Sequence, residues 1–93
     1  PGCVFTSTGS QHGGQEITLF NLMTYMLHQG MIFVGTPYSI PALNNTKSGG
    51  TPYGPSHVAH AKQGALTPDE KEIAIATGSR MAELILQLNQ NES

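Results

Sequence analysis

The chain has 93 residues, a formal net charge of −2 and 11% charged residues, where ordinary globular domains have roughly a quarter. This composition provides no basic footprint for nucleic acid or an anionic membrane, and the single cysteine, Cys3, cannot form an internal disulfide. We find no signal peptide and no apolar run long enough for membrane insertion, so we expect a cytoplasmic protein. With so few charges, much of its surface is expected to meet other protein.

The first half of the chain predicts a strand, a helix and a second strand. CVFTS at 3–7 is β-branched and aromatic, which favours a strand buried on both faces. The helix runs over 16–29, with Gly30 as its C-terminal stop. Apart from one polar face, that helix is apolar nearly all round, so we expect it to pack beyond its own sheet, for example against a second subunit. MIFVG at 31–35 predicts a second buried strand, completing a βαβ unit.

The second half predicts a long loop and one helix. Residues 36–66 are rich in proline and glycine without periodicity, which favours an ordered, functional loop. A helix over about 68–90 begins with TPDE, where Thr67 and Glu70 form a capping box. Gly78 in mid-helix indicates close packing on a strand. A stripe is expected to face the sheet, namely Ile73, Thr77, Met81, Leu84 and Leu88. Two strands and two helices are too few for a covered parallel sheet, so we expect a fragment that needs a partner segment.

The segment STGSQHGGQE, at 7–16, links the first strand to the first helix. Ligands of open parallel sheets bind at the carboxyl ends of the strands, which is where this loop lies. Its glycines permit close approach, and free N–H groups with the helix dipole favour an electron-rich group. The loop contains no Lys or Arg, and neither a Walker nor a GxGxxG motif is present. The pattern therefore leaves two interpretations open, a planar ring with polar edges or an unoccupied turn.

Four motifs, STGSQHGGQE, LHQGM, GTPYS and GGTPYGPSHVA, resemble the second half of the WrbA family of type IV NAD(P)H:quinone oxidoreductases. The resemblance implies a flavodoxin-like doubly wound parallel sheet of order 2-1-3-4-5. Residues 1–93 would then be the C-terminal half of one such domain, with its last two strands and their helices. It also implies FMN as cofactor, NAD(P)H as co-substrate, a quinone substrate, a homotetramer and a missing N-terminal half. The alternative is a non-catalytic flavodoxin-like interaction or oligomerisation module.

The resemblance also assigns cofactor-binding residues. The loop that wraps the edge of the flavin would consist of Ser7, Thr8, Gly9, Ser10, Gln11 and His12. Relatives often have His where Gln29 stands, a position that reaches the flavin site of a neighbouring subunit. A glutamine there can donate a hydrogen bond but cannot become a cation.

Each candidate side chain has a simpler interpretation. His12 could shuttle a proton or simply bond its own backbone or solvent, and no other catalytic residue is assigned. His57 and His60 make a poor zinc pair without a nearby carboxylate or cysteine, so no metal is expected. Cys3 is expected to be buried and inert. Two tyrosines could stack on substrate or pack in the core or an interface, namely Tyr38 and Tyr53.

Overall fold

A computed structural model of the chain describes residues 1–10, 13–59 and 66–90. In chain order its elements are β1 (Thr6–Thr8), α1 (Gln15–His28), α2 (Pro41–Asn45), β2 (Ser56–Val58) and α3 (Pro68–Gln90). The two strands pair in parallel, with Thr6 opposite Ser56 and Thr8 opposite Val58. The described residues thus form an α/β arrangement around a two-stranded parallel sheet, which confirms the predicted fold class at that level. The segment 36–66, predicted as one long loop, contains both α2 and β2.

The segment 31–35 and β2 lie end to end along the same edge of the first strand. The N–H of Gly2 donates to Ile32 O at 2.8 Å, and Val34 N–H donates to Gly2 O at 2.7 Å. Further along, the N–H of Thr6 donates to Pro55 O at 3.2 Å. Alternate residues of an extended strand direct their backbone polar groups to the same side, so both partners occupy one edge. The segment 31–35, predicted as the second strand, therefore pairs with the first strand through a single bridge at Phe33. Further along the same edge, β2 takes its place.

The other edge of the first strand is open. Among the described residues, no hydrogen bond reaches the backbone N–H or C=O groups of Cys3 and Phe5, which alternate with the paired residues. The outer edge of β2 is closed instead, because the N–H of Val58 donates to Glu70 Oε2 at 2.9 Å. The backbone groups of Cys3 and Phe5 thus offer an edge at which a further strand can pair.

The helices α1 and α3 cover opposite faces of the sheet. On β2 the Ser56 side chain contacts Gln15 of α1, and the next side chain, His57, contacts Glu70 of α3. The prediction of a strand buried on both faces is wrong at Phe5, which is 79% exposed, because α3 packs on β2 and leaves this position uncovered. Cys3 is half-buried for the same reason, so the prediction that it is buried is also wrong.

The predicted first helix is present and ends at its glycine. Gly30 has φ 75°, and the N–H groups of Gly30 and Met31 donate to Leu27 O and Met26 O, as in a Schellman motif. Only Gln15, Leu19 and Met26 of α1 are buried. The remaining apolar side chains form an exposed apolar face, consisting of Ile17, Phe20, Leu22, Tyr25 and Leu27. Apart from the contact of Phe20 with Tyr53, the described residues leave that face largely uncovered.

The last helix, α3, is buried most deeply over its first three turns, and Met81 and Leu84 beyond them are half-buried. Thr67 N–H donates to Glu70 Oε1 at 2.9 Å and Glu70 N–H donates to Thr67 Oγ1 at 3.1 Å, so the capping box is formed. Ile73 and Thr77 are buried, whereas Leu88 is 41% exposed because the helix extends past the sheet. Close packing at Gly78 is a wrong prediction, since a Cβ there would meet nothing within 4 Å. Among the described helices, none is long and apolar enough to cross a membrane.

Candidate functional site

The glycine-rich loop occupies the carboxyl end of β1 and leads directly into α1. Gly14 is the N-cap residue with φ 88°, a conformation that favours glycine, and no side chain caps the helix. The backbone N–H groups of the first helical turn therefore point towards the loop without a side-chain acceptor. Of the six predicted loop residues, Gln11 and His12 lie outside the described residues, so the structure says nothing of the proton-shuttle candidate.

The described part of this loop is held by three hydrogen bonds. Thr8 Oγ1 donates to Ser10 O at 2.7 Å, and Gly13 N–H donates to the same oxygen at 3.2 Å. Gln15 Nε2 donates to Thr8 Oγ1 at 2.9 Å. Ser7 and Ser10 are exposed, and no described residue bonds their hydroxyl groups. The loop thus presents hydroxyl and N–H groups at a sheet edge without a basic side chain.

Gln29 is not brought to this loop within one chain. It caps the opposite end of α1, and its side chain is exposed. A helix of 14 residues is about 20 Å long, which separates Gln29 from the loop by that distance. One chain therefore assembles Ser7–Ser10 alone, and Gln29 could meet such a loop only on another subunit.

A buried carboxylate holds the other side of β2. Glu70 is 1% exposed. Its Oε2 accepts from the N–H groups of Gly49 at 2.7 Å and Val58 at 2.9 Å. Its Oε1 accepts from Thr67 N–H at 2.9 Å and lies 3.0 Å from His57 Nδ1. Burial alone would raise the pKa of Glu70, but these four hydrogen bonds outweigh it and lower the pKa from 4.5 to about 2.

The long loop and α1 line an open pocket of about 570 Å³. Tyr38, 62% exposed, stands at its rim beside Thr46 and Thr51. Tyr53 packs against the core instead, with its ring centroid 4.3 Å from that of Phe20. Of the two interpretations for the tyrosines, packing describes Tyr53, whereas Tyr38 remains free to contact a ligand or partner.

A second, apolar groove of about 340 Å³ lies between the first strand and α3. Phe5, Leu66, Ala74 and Gly78 are among its lining residues. The groove runs beside the open strand edge at Cys3 and Phe5. Among the described residues, no group of three or more His, Cys, Asp or Glu could hold a metal ion, and His60 lies outside that part of the chain.

Two buried polar residues of this region were not predicted from the sequence, and a third was predicted with only one of its two roles. Gln15 and Ser56 are 7% and 5% exposed and bond each other. Glu70 was recognised as a capping residue, but its bonds to Gly49 and Val58 join segments distant in sequence. The signal available was weak, a glutamine at the first helical position and a serine beside a proline.

Comparison with known proteins identifies relatives over nearly the whole chain. The chain is 50% identical over 91 residues to an NAD(P)H dehydrogenase (quinone) of Chromohalobacter salexigens. It is 46% identical over 91 residues to an enzyme of the same name from Acidithiobacillus ferrooxidans. Each match covers 94% of this chain. The chain is a relative of part of these oxidoreductases. It spans about 45% of the length of each, and no family model matches it. These findings confirm the resemblance to quinone-reducing NAD(P)H enzymes.

Proposed function

We propose that this chain is the C-terminal part of an FMN-dependent NAD(P)H:quinone oxidoreductase. The observation that carries the proposal is the identity of 46–50% with two NAD(P)H dehydrogenases (quinone) over 94% of the chain. Sequence identity at that level implies that this chain has the fold of the matching segment of its relatives. The enzyme activity in their names belongs to the longer proteins, of which this chain would be one part. The proposed sheet order is 2-1-3-4-5, in which this chain supplies the last two strands.

The β1–α1 loop fits the edge of a flavin better than a phosphate. Exposed hydroxyl groups at Ser7 and Ser10 and the uncapped first turn of α1 offer donors to ring nitrogens and carbonyl oxygens. A phosphate would favour a basic side chain, which the loop does not have. Bound FMN would supply the redox chemistry, taking two electrons from the nicotinamide and passing them to the quinone. The residues of this chain would orient the ring and stabilise negative charge on it.

The open strand edge supports the proposal of a missing N-terminal half. One edge of the sheet is closed by Glu70, whereas the other presents the unpaired backbone of Cys3 and Phe5. An adjacent parallel strand would satisfy these groups, and a helix of the same half would fill the apolar groove beside α3. Such a half is also expected to carry the phosphate-binding loop of the flavin site.

The exposed apolar face of α1 supports a homotetramer. Tyr25 and Leu27 are 66% and 54% exposed, and several exposed large apolar side chains on one helix favour a protein interface. A neighbouring subunit packed here would bring its own α1 C-terminus, and therefore Gln29, towards a site that one chain cannot complete. Gln29 would act there as a neutral hydrogen-bond donor.

A chimera tests the proposal directly. In it, residues 1–93 replace the homologous segment of the Chromohalobacter salexigens relative, and the unmodified relative is the positive control. We expect a yellow protein whose oxidised-flavin absorbance is bleached by NADH or NADPH and restored by benzoquinone. A folded but colourless chimera that added FMN does not restore would overturn the enzyme assignment and favour a non-catalytic interaction module.

A further inference from the structure

A chain of hydrogen bonds crosses the sheet from the long loop to the β1–α1 loop. It begins at Gly50, whose N–H donates to Ser56 Oγ at 2.7 Å. Ser56 Oγ donates to Gln15 Oε1 at 2.9 Å, and Gln15 Nε2 donates to Thr8 Oγ1 at 2.9 Å. Thr8 Oγ1 then donates to Ser10 O at 2.7 Å. Every link is within ordinary hydrogen-bond length, so two loops far apart in sequence are joined through one side-chain amide.

The hydrogen bonds of this series all point in one direction, which the side-chain amide of Gln15 imposes. The NH₂ group of a glutamine can only donate and its carbonyl oxygen can only accept. With Nε2 towards Thr8, the hydroxyl proton of Thr8 must point to Ser10 O. With Oε1 towards Ser56, the Ser56 proton is used there, and its oxygen accepts from Gly50. A flipped amide would make the Thr8 proton choose between Gln15 and Ser10, leaving one acceptor unsatisfied.

Burial makes this orientation matter. Gln15 and Ser56 are 7% and 5% exposed, so water cannot readily replace a lost partner, and aligned hydrogen bonds strengthen one another in such surroundings. Thr8 is half-buried, and its hydroxyl group connects this series of hydrogen bonds to the exposed loop. The conformation at 8–10 therefore depends on a buried side chain of α1.

We propose that Gln15 is the positioning residue of the β1–α1 loop and couples it to the long loop through Ser56. This inference rests on the proposed function in so far as the loop holds the flavin. Gln15 contacts no ligand in this role. It fixes the Thr8 hydroxyl and with it the backbone that presents Ser7–Ser10 to the ring.

The test is a double-mutant cycle in the chimera, read by FMN affinity. Gln15→Met keeps the size of the side chain but removes both polar atoms, and Thr8→Val removes the hydroxyl while keeping its shape. Thr8→Ser retains the hydroxyl. Thr24→Val is the matched control, because the Thr24 hydroxyl is exposed and bonds only Phe20 O of its own helix. Circular dichroism verifies that every variant is folded under the conditions of the FMN titration.

Each single variant, Gln15→Met or Thr8→Val, removes the Gln15–Thr8 hydrogen bond and is expected to raise the FMN dissociation constant about tenfold, the effect of losing that shared bond. The double variant should bind no more weakly than the weaker single variant, and Thr8→Ser and Thr24→Val should bind like the unmodified chimera. An unchanged FMN affinity in Gln15→Met would overturn the inference. So would a double variant whose dissociation constant rises by the product of the two single-variant factors. So would equal losses in Thr8→Ser and Thr8→Val.

A second readout separates this inference from the proposed function. If the unmodified chimera is folded but binds no FMN, the flavin assignment fails, and the same cycle is then read from the unfolding equilibrium constant in urea. Thr8→Val should change that constant about fivefold with Gln15 present and leave it nearly unchanged with Met at position 15. If Thr8→Val changes the unfolding equilibrium constant equally with Gln15 or with Met at position 15, the coupling itself is overturned.

Discussion

Neutralising Glu70 should destabilise the fold more than any other conservative change of a charged residue among the described ones. Its carboxylate is 1% exposed and accepts three backbone N–H groups, from Gly49, Val58 and Thr67. In Glu70→Gln, one accepting oxygen becomes an NH₂ group that faces either Thr67 N–H or the Gly49 and Val58 pair. We expect the free energy of unfolding of the chimera to fall by about 2–4 kcal/mol at pH 7.

The pH dependence of the same group follows from its pKa. The folded pKa of Glu70, about 2, lies below its ordinary value of 4.5, so the carboxylate stabilises the fold above pH 4.5 and this stabilisation is lost as the pH falls towards 2. At about 1.4 kcal/mol per pKa unit, the full contribution is about 3 kcal/mol, of which about 2 kcal/mol is gone by pH 3.

Urea unfolding of the chimera followed by circular dichroism between pH 7 and pH 3 measures both effects. The difference between the unmodified chimera and Glu70→Gln should shrink by about 2 kcal/mol over that range. Asp69→Asn, one residue earlier in the same helical turn and without a side-chain hydrogen bond among the described residues, should cost less than about 1 kcal/mol. A cost for Glu70→Gln equal to that of Asp69→Asn, or a difference independent of pH, would refute the reasoning.

Three further predictions concern the helices and the completeness of the site. Gly78→Ala should not give the chimera the gain of about 1 kcal/mol that helix propensity alone predicts, because Gly78 lines the groove that the N-terminal half is proposed to fill; a full gain in urea unfolding would mean that nothing packs closely there. Tyr25→Glu, on the exposed apolar face of α1, should dissociate the proposed tetramer of the chimera in sedimentation velocity, and a persistent tetramer would exclude this face as an interface. The 93-residue chain alone should leave FMN fluorescence unquenched because it contributes only the β1–α1 loop to the proposed flavin site, and strong quenching would contradict the proposed need for an N-terminal half.

Local signals in the sequence predicted the two long helices, α1 and α3, well, whereas α2 was missed. Gly30 ends α1 in the left-handed conformation, and Thr67 with Glu70 begins α3 as a capping box. These features depend on residues within one turn of each other, so the sequence pattern contains them. The strand β2 was not predicted, because its three residues, Ser56–Val58, follow prolines and glycines and show no alternation of apolar residues.

The candidate site was predicted only as far as its β1–α1 loop. The motif around Ser7–Ser10 indicated a loop at the end of a strand, and β1 does end there. Gln15 could not be recognised as a buried bridge because its partner Ser56 is 41 residues away and lies on a strand that was itself missed. Phe5 was predicted as buried because an apolar pattern does not reveal whether the covering segment belongs to the same chain.

The order of the long loop follows from two adjacent glycines that are bonded to opposite sides of the sheet. Gly49 N–H donates to Glu70 Oε2, from α3, and Gly50 N–H donates to Ser56 Oγ, which α1 holds through Gln15. A side chain at Gly49 would collide with Ser56 O, and Gly50 has φ 109° with Ile73 directly beside it. Only glycines permit two successive N–H groups to reach these acceptors at such close approach. A segment without hydrophobic periodicity is therefore fixed by polar contacts, and its anchors are the same two networks whose removal the Glu70 and Gln15 variants measure.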